Sequence, residues 1–443
     1  FGSANSADLA WWESYLLQAY LLMHQATQDQ YWLDRFVAHA DTVLAVMRDI
    51  PNAASYWPGY KDGFLGWGTT RYDPAGRYQE YLVHDGQICL PMVRFVRLVF
   101  LTPELQPRYL SRAQRYVQTI ERNVIAKWYT NWHCDRGTDG CLERFGGWRS
   151  LPVNQYLVFG EVLLVMAEVA KSPFYRAAWP TLAEDWYLNT ADLMAAEFRA
   201  ALTFRAADSS YTWRHWPSAH QALQPEDISH ANLVISFVRE AWAQGRCFSS
   251  VDLARLGNTI AKTMRLGPAA GPIPSRFVDG SGGLDRSGHL KDWLKLGDFH
   301  PAVFRLVRQV YGACPAWSGP AAHASQAATV AALAALLPES QADGNDGAAT
   351  GARFSTASTA PVFRSCVTRD QVTIRRQTRF TAVVTDCSGR RVRVLECNPA
   401  GPTEFVAVWY GDDERGRPVA AGTYFCAVVA ADRADQLKVT RLP

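Results

Sequence analysis

The chain has 443 residues, 45 Lys and Arg against 42 Asp and Glu, and a formal net charge of +3. It therefore lacks the clustered basic surface of a nucleic-acid-binding protein, and no apolar run reaches the ~18 residues a membrane span needs. The length exceeds what one core usually serves, so a large domain followed by a smaller one is expected.

The 16 Trp, 18 Tyr and 20 Phe suit an aromatic cleft of the kind that receives sugar rings, and equally plain packing. The chain opens at Phe1 with no initiator methionine and no signal-like segment, so a mature secreted or periplasmic protein, its signal peptide removed, is expected. Nine cysteines agree with an oxidising compartment. Cys134 and Cys141 bracket a short polar loop that would close as a disulfide. Cys387 and Cys397 flank a strand pair, Cys366 and Cys426 share the small domain, and Cys247 and Cys314 follow helices. Cys89, inside a helix, is left as the odd thiol.

From residue 7 to about 337, helical stripes alternate with two kinds of connection. Those near 27–30, 102–106, 171–175, 244–249 and 297–300 are short, several opening on N-cap signals such as Thr102-Pro103-Glu104. Those at 49–82, 128–151, 202–226 and 265–288 exceed the ~12–15 residues beyond which a loop usually has a task. Short and long alternate strictly, which predicts helical hairpins with every long connection at one end: an (α/α) toroid over 1–338, of ten or eleven helices, with its working face on the long-loop side. A solenoid would show a fixed repeat, and none is visible.

The first long loop carries Tyr60, Trp67, Arg71, Tyr72, Tyr78 and Tyr81, either a sugar groove or a self-packed loop. The third, Tyr211–Asn232, concentrates Trp213, His215, His220, Glu226, Asp227 and His230; the fourth carries Arg276, Asp279 and Arg286. Each long loop leads into a helix whose first turn bears a polar residue on the inward stripe: His84 before Ile88 and Met92, Asn154 before Val158 and Val162, His230 before Val234 and Phe237. Singly, each reads as a capping or satisfied core group; their common placement points to a site.

Residues 339–360 read as a linker, and 361–443 as a small antiparallel β-sandwich, from their alternating strands and turn signals. Trp409-Tyr410-Gly411-Asp412-Asp413 through Gly416 to Gly422-Thr423-Tyr424 resembles the W-x-G-x-D-x-x-G strand-turn-strand of FlgD-type immunoglobulin-like modules, which implies an accessory module without chemistry of its own.

A mouth lined with His, Asn, Arg and Tyr suits β-elimination of a uronate polymer: a neutralised C5 carboxylate, a base for the C5 proton and an acid for the departing oxygen. Imidazole exchanges protons near neutral pH and guanidinium grips a carboxylate. Through Asn154 in LPVNQ, His230 in EDISHAN and Arg276 in PSRFVDG, the helical part also resembles the (α/α) toroid polysaccharide lyases of the glucuronan- and alginate-cleaving kind. The resemblance implies an acidic polysaccharide as partner, with His230 as base or carboxylate neutraliser and Asn154 and Arg276 on the carboxylate. No tyrosine lies between Tyr211 and Tyr311, so the proton donor falls to Tyr72 on the first loop, or to His215. His84, Tyr60, Trp67, Arg71, Trp213, Glu226 and Asp227 complete the expected substrate-binding set. The alternatives are a glycoside hydrolase with a carboxylate pair from Glu80, Asp85, Glu226 and Asp227, and a carbohydrate-binding protein without catalysis. The spacing of His215, His220 and His230 matches no HExxH-like pattern, so no metal or cofactor is expected, and a structural calcium has no specific support. A monomer is expected.

Overall fold

The computed structural model describes residues 4–51, 61–132, 147–179, 182, 184–216, 224–265, 271–285 and 289–313, and then 364–367, 372–376, 380–386, 391–401, 404–417, 419, 422–430 and 434–441. The chain divides into two compact units, Phe1–Gly344 and Asn345–Pro443.

The first unit is mostly helical, with two small two-stranded antiparallel sheets. After the short α1 (Ser6–Asp8) come α2 (Ser14–Thr27) and α3 (Gln30–Ala45), then β1 (Arg48–Pro51) and β2 (Lys61–Gly66). Next are α4 (Leu82–Leu101), α5 (Gln106–Ile120), α6 (Ala126–Trp132), α7 (Val153–Ala170) and α8 (Glu184–Ala201). Strands β3 (Thr203–Arg205) and β4 (Ser210–Thr212) precede α9 (Ile228–Ala243), α10 (Ser250–Asn258) and α11 (Pro301–Ala313).

Local chemistry sets the turns. Between α2 and α3, Gln28 takes a left-handed conformation (φ 58°) that ends one helix, and Asp29 accepts from Tyr31 N to begin the next. Pro103–Leu105 forms a 3-10 turn between α4 and α5. Gly245 (φ 70°) and a Ser249–Asp252 capping box join α9 to α10. The connection after α7, expected to close within 171–175, instead runs to Glu184, and the long loops at 49–82 and 202–226 contain the β1–β2 and β3–β4 ladders. The part of the expected helical pattern that runs on from residue 314 to about 337 lies outside the described residues.

Each hairpin packs within itself, α2 on α3, α4 on α5, α7 on α8 and α9 on α10, while the first members also touch in the row α2, α4, α7, α9. Helix α7 sits at the centre of that row. Glu161 and Glu168 interrupt it, so it is no unbroken apolar run, but by length and mean hydropathy (1.4) it could cross a membrane; 83% of it is buried inside the unit as a core helix. Glycines allow the approach: a Cβ on Gly86 of α4 would stand 2.8 Å from the Val158 side chain and 3.0 Å from the Phe159 backbone N, and one on Gly160 would stand 3.0 Å from both Met194 and Phe237.

Polar groups tie the same row together further along the helices. Arg94 pairs with buried Glu161, which accepts from Ser236 at 2.9 Å; Lys295 donates to Ser236 at 2.6 Å and pairs with Asp292, which also holds Lys291 and Asn232. Lys291 reaches Gln18 on α2, so α2, α4, α7, α9 and the 3-10 turn Trp293–Leu296 share one network. A second buried cluster sets Lys127 between Glu80 (2.8 Å) and Asp85 (2.9 Å), with Trp128 Nε1 donating to Asp85 at 2.8 Å.

Among the described residues, the second unit has two four-stranded antiparallel sheets. One has the order β5 (Arg364–Val367), β6 (Val372–Arg376), β10 (Glu404–Trp409), β9 (Asn398–Gly401). The other has the order β12 (Ala434–Arg441), β11 (Gly422–Ala430), β7 (Phe380–Asp386), β8 (Arg391–Glu396). Strand β10 touches β7 and β8, and Ala382, Val384, Val392, Leu395, Ala407 and Trp409 are buried. The turn after β10 shows what its motif does: Gly411 and Gly416 supply positive φ (74° and 73°), Trp409 Nε1 donates to Asp412 O, and Asp413 accepts from the backbone N of Arg415 and Arg417 and from the Arg417 guanidinium.

Candidate functional site

Backbone contacts at three places assemble the site. His215 N donates to Gln224 O at 3.0 Å and Arg214 bridges Pro225, which folds the third long loop back on itself and places His215 beside Glu226. His215 O accepts from Val153 N at 2.9 Å, which fastens that histidine to the first residue of α7, next to Asn154. Ile228 N donates to Arg276 O at 2.9 Å and Asp227 bridges Phe277, which brings the fourth loop against the start of α9. Asn154, His215, Glu226, Asp227, His230 and Arg276 are thus gathered at the first turns of two neighbouring helices.

Asp227 is the N-cap of α9: its Oδ1 accepts from Ser229 N and His230 N. That fixes the first turn and leaves Oδ2 2.8 Å from His230 Nδ1, an ion pair rather than an aligned hydrogen bond. Glu226, fully buried, has Oε1 2.8 Å from His215 Nδ1 and 3.4 Å from His230 Nδ1. The two imidazoles lie nearly face to face, 4.9 Å between centroids at 27°. Burial alone would lower the His230 pKa, but the two carboxylates outweigh it and raise it to about 10. An imidazolium takes up no further proton, so of the two roles expected for His230 the neutraliser fits and the base does not. Asn154 is buried with Oδ1 lacking a partner among the described residues. The Arg276 side chain is exposed, its guanidinium 5.3 Å from the Phe277 ring centre.

The remaining expected residues fall elsewhere. Trp67 is in the core with Nε1 donating to Val43 O, and Trp213 is buried edge-on to Phe198, so neither face is open to a sugar. His84 is buried under Trp11, Tyr72 and Tyr81, with Nδ1 2.9 Å from Ser6 Oγ. Tyr72, 48% exposed, receives a hydrogen bond from Trp11 Nε1 in that same cluster, and Arg71 pairs with Asp8. These serve packing of the N-terminal segment, and the inward polar stripe explains why His84 resembled a site residue in sequence. Glu80 and Asp85 are enclosed with Lys127. Tyr60, His220, Arg286, Cys134, Cys141, Cys314 and Cys387 lie outside the described residues. Cys89 is a buried thiol, its pKa pushed up by burial, and Cys247 is also a free thiol rather than half of a disulfide.

His84 has a measurable signature. Burial, helped by the Arg71 charge, lowers its pKa to about 3. Above pH ~6.5 the imidazole is neutral folded and unfolded alike; as pH falls towards 3 only the unfolded chain gains the proton, removing about 1.4 kcal/mol of stability per pH unit. Denaturant titrations between about pH 6.5 and 4 should therefore show a shallower decline for His84→Gln than for the parent chain. Parallel declines would mean that His84 protonates within the fold.

Sequence reasoning missed His289. Its ring lies 6.1 Å from that of Tyr15, tilted by 37°, it is within electrostatic reach of Asp227 and His230, and its pKa is lowered chiefly by burial. Its position at the end of the fourth long loop was the available signal. A cavity of about 580 Å³ lies further along the row of helices, lined among others by Arg94, Arg97, Glu240, Lys291 and Asp292. Glu240 is ten residues beyond His230 on α9, about 15 Å of helix. The cavity's arginines and lysines are already ion-paired, which leaves it a lesser candidate.

No protein-family model matches the chain, and neither the curated proteins nor the solved structures yield a match.

Proposed function

We propose that the helical unit is an (α/α) toroid that cleaves a uronate-containing polysaccharide by β-elimination, in a secreted protein whose second unit is a FlgD-like accessory module. The observation that carries this reading is the face-to-face pair of imidazoles, His215 and His230, at the starts of α7 and α9, where backbone contacts also bring the chain at Asn154 and at Arg276. Arg276, Asn154 and His230 suit the substrate carboxylate, whose neutralisation acidifies the C5 proton. His215 suits the proton: Glu226 holds its Nδ1 and leaves Nε2 to act, as a carboxylate orients a catalytic imidazole. With Tyr72 in another cluster, the same imidazole serves both steps. The C5–H bond breaks, its proton goes to His215, the C4–C5 double bond forms, the C4–O4 bond breaks, and O4 leaves with that proton.

The hydrolase alternative is weakened by the enclosure of Glu80 and Asp85 with Lys127 and by the engagement of Glu226 and Asp227 with histidines. Incubation with glucuronan or alginate should produce the ultraviolet absorbance of a conjugated double bond in step with new reducing ends. Reducing ends without that absorbance would replace elimination with hydrolysis, and binding without either would leave a carbohydrate-binding protein.

A further inference from the structure

We propose that His215, Glu226 and His230 form a binding site for a divalent cation of the zinc class. Each side chain brings one donor atom to within 4.8 Å of the other two. Three points that close have a common centre no more than about 2.8 Å from each, so side-chain shifts under ~1 Å reach the ~2.0–2.1 Å of zinc–nitrogen and zinc–oxygen bonds.

The second observation is Glu226 itself. The residue is fully buried and its Oε2 has no hydrogen-bond partner among the described residues. A buried carboxylate oxygen facing no donor is costly, and a cation is the group that relieves it. Asp227 borders the donor set, with Oδ2 against the same His230 Nδ1 that faces Glu226 and Oδ1 committed to the helix start.

Two nitrogens and one oxygen suit zinc, cobalt or nickel over calcium, magnesium and manganese, which favour oxygen donors. Three protein ligands leave a fourth position open to water or a substrate oxygen. In sequence the set was hidden because a glutamate takes the place sought for His220, and because the pairing of residues 214–215 with 224–225 closes the gap of eleven residues between His215 and Glu226. The inference requires only the donor set and stands whether or not elimination occurs.

The test is a titration of the full chain, stripped with a chelator, with Zn²⁺ by calorimetry and with Co²⁺ by visible absorption. One ion per chain is expected, with cobalt bands of nitrogen and oxygen ligation that persist in Cys247→Ser. His215→Ala and Glu226→Gln should each weaken binding at least ~10-fold, with thermal melts of the metal-free variants showing that they fold. Absence of binding tighter than millimolar in the parent chain, or unchanged binding in both folded variants, overturns the proposal. Because binding is read without substrate, its failure and the failure of the lyase reading are separate results.

Discussion

Lys127→Met should destabilise the helical unit by about 3–5 kcal/mol, because removing one partner of a buried ion cluster leaves the others uncompensated. Lys127 lies between Glu80 and Asp85, and all three are buried. Burial pulls the lysine pKa down, but the Asp85 and Glu80 charges overcome it and raise it. Without the ammonium both carboxylates must protonate or draw in water. Methionine fills much of the volume, so the loss reports charge rather than a cavity. Urea titration at neutral pH measures it, and adding Glu80→Gln and Asp85→Asn should restore much of the stability. A single variant within ~0.5 kcal/mol of the parent would show that water already reaches the cluster.

On a uronate polymer, His215→Ala should lower kcat by ~10²–10⁴, the range for loss of a general acid-base group, or about 3–5 kcal/mol of barrier. Glu226→Gln should lose less, since an amide can still hold and orient the ring. Tyr72→Phe should leave kcat unchanged, as its hydroxyl belongs to the Trp11 and His84 cluster. A folded His215→Ala that retains full activity would remove this residue from the reaction and with it the proposed order of proton transfers.

Much of the helical pattern was legible because the signals are local. Gln28-Asp29, Thr102-Pro103 and Ser249 through Asp252 mark their turns by caps that need only a few neighbouring residues. The short strands within the long loops were not legible, since Arg48–Pro51 and Lys61–Gly66 find their pairing only after the chain folds back. The inward stripe put His84, Asn154 and His230 at equivalent helix starts, but periodicity does not report what covers a first turn. His84 is sealed by Trp11, from a segment more than seventy residues earlier, while His230 retains 36% of its side-chain surface. Trp67 and Trp213 misled in the same way, because composition cannot tell an indole that faces a groove from one that faces Val43 or Phe198. His289 was passed over because its neighbours Tyr15 and Asp227 lie 274 and 62 residues before it in the chain.

The central place of α7 bears on how the chain is made. Its apolar surface is covered by α4, synthesised before it, and by α8 and α9, synthesised after it. At ~5–20 residues per second, the ribosome takes several seconds to travel from residue 170 to residue 243. Throughout that interval a helix with the hydropathy of a bilayer span has only part of its cover, so the nascent chain exposes its most adhesive surface while α8 and α9 are still being made.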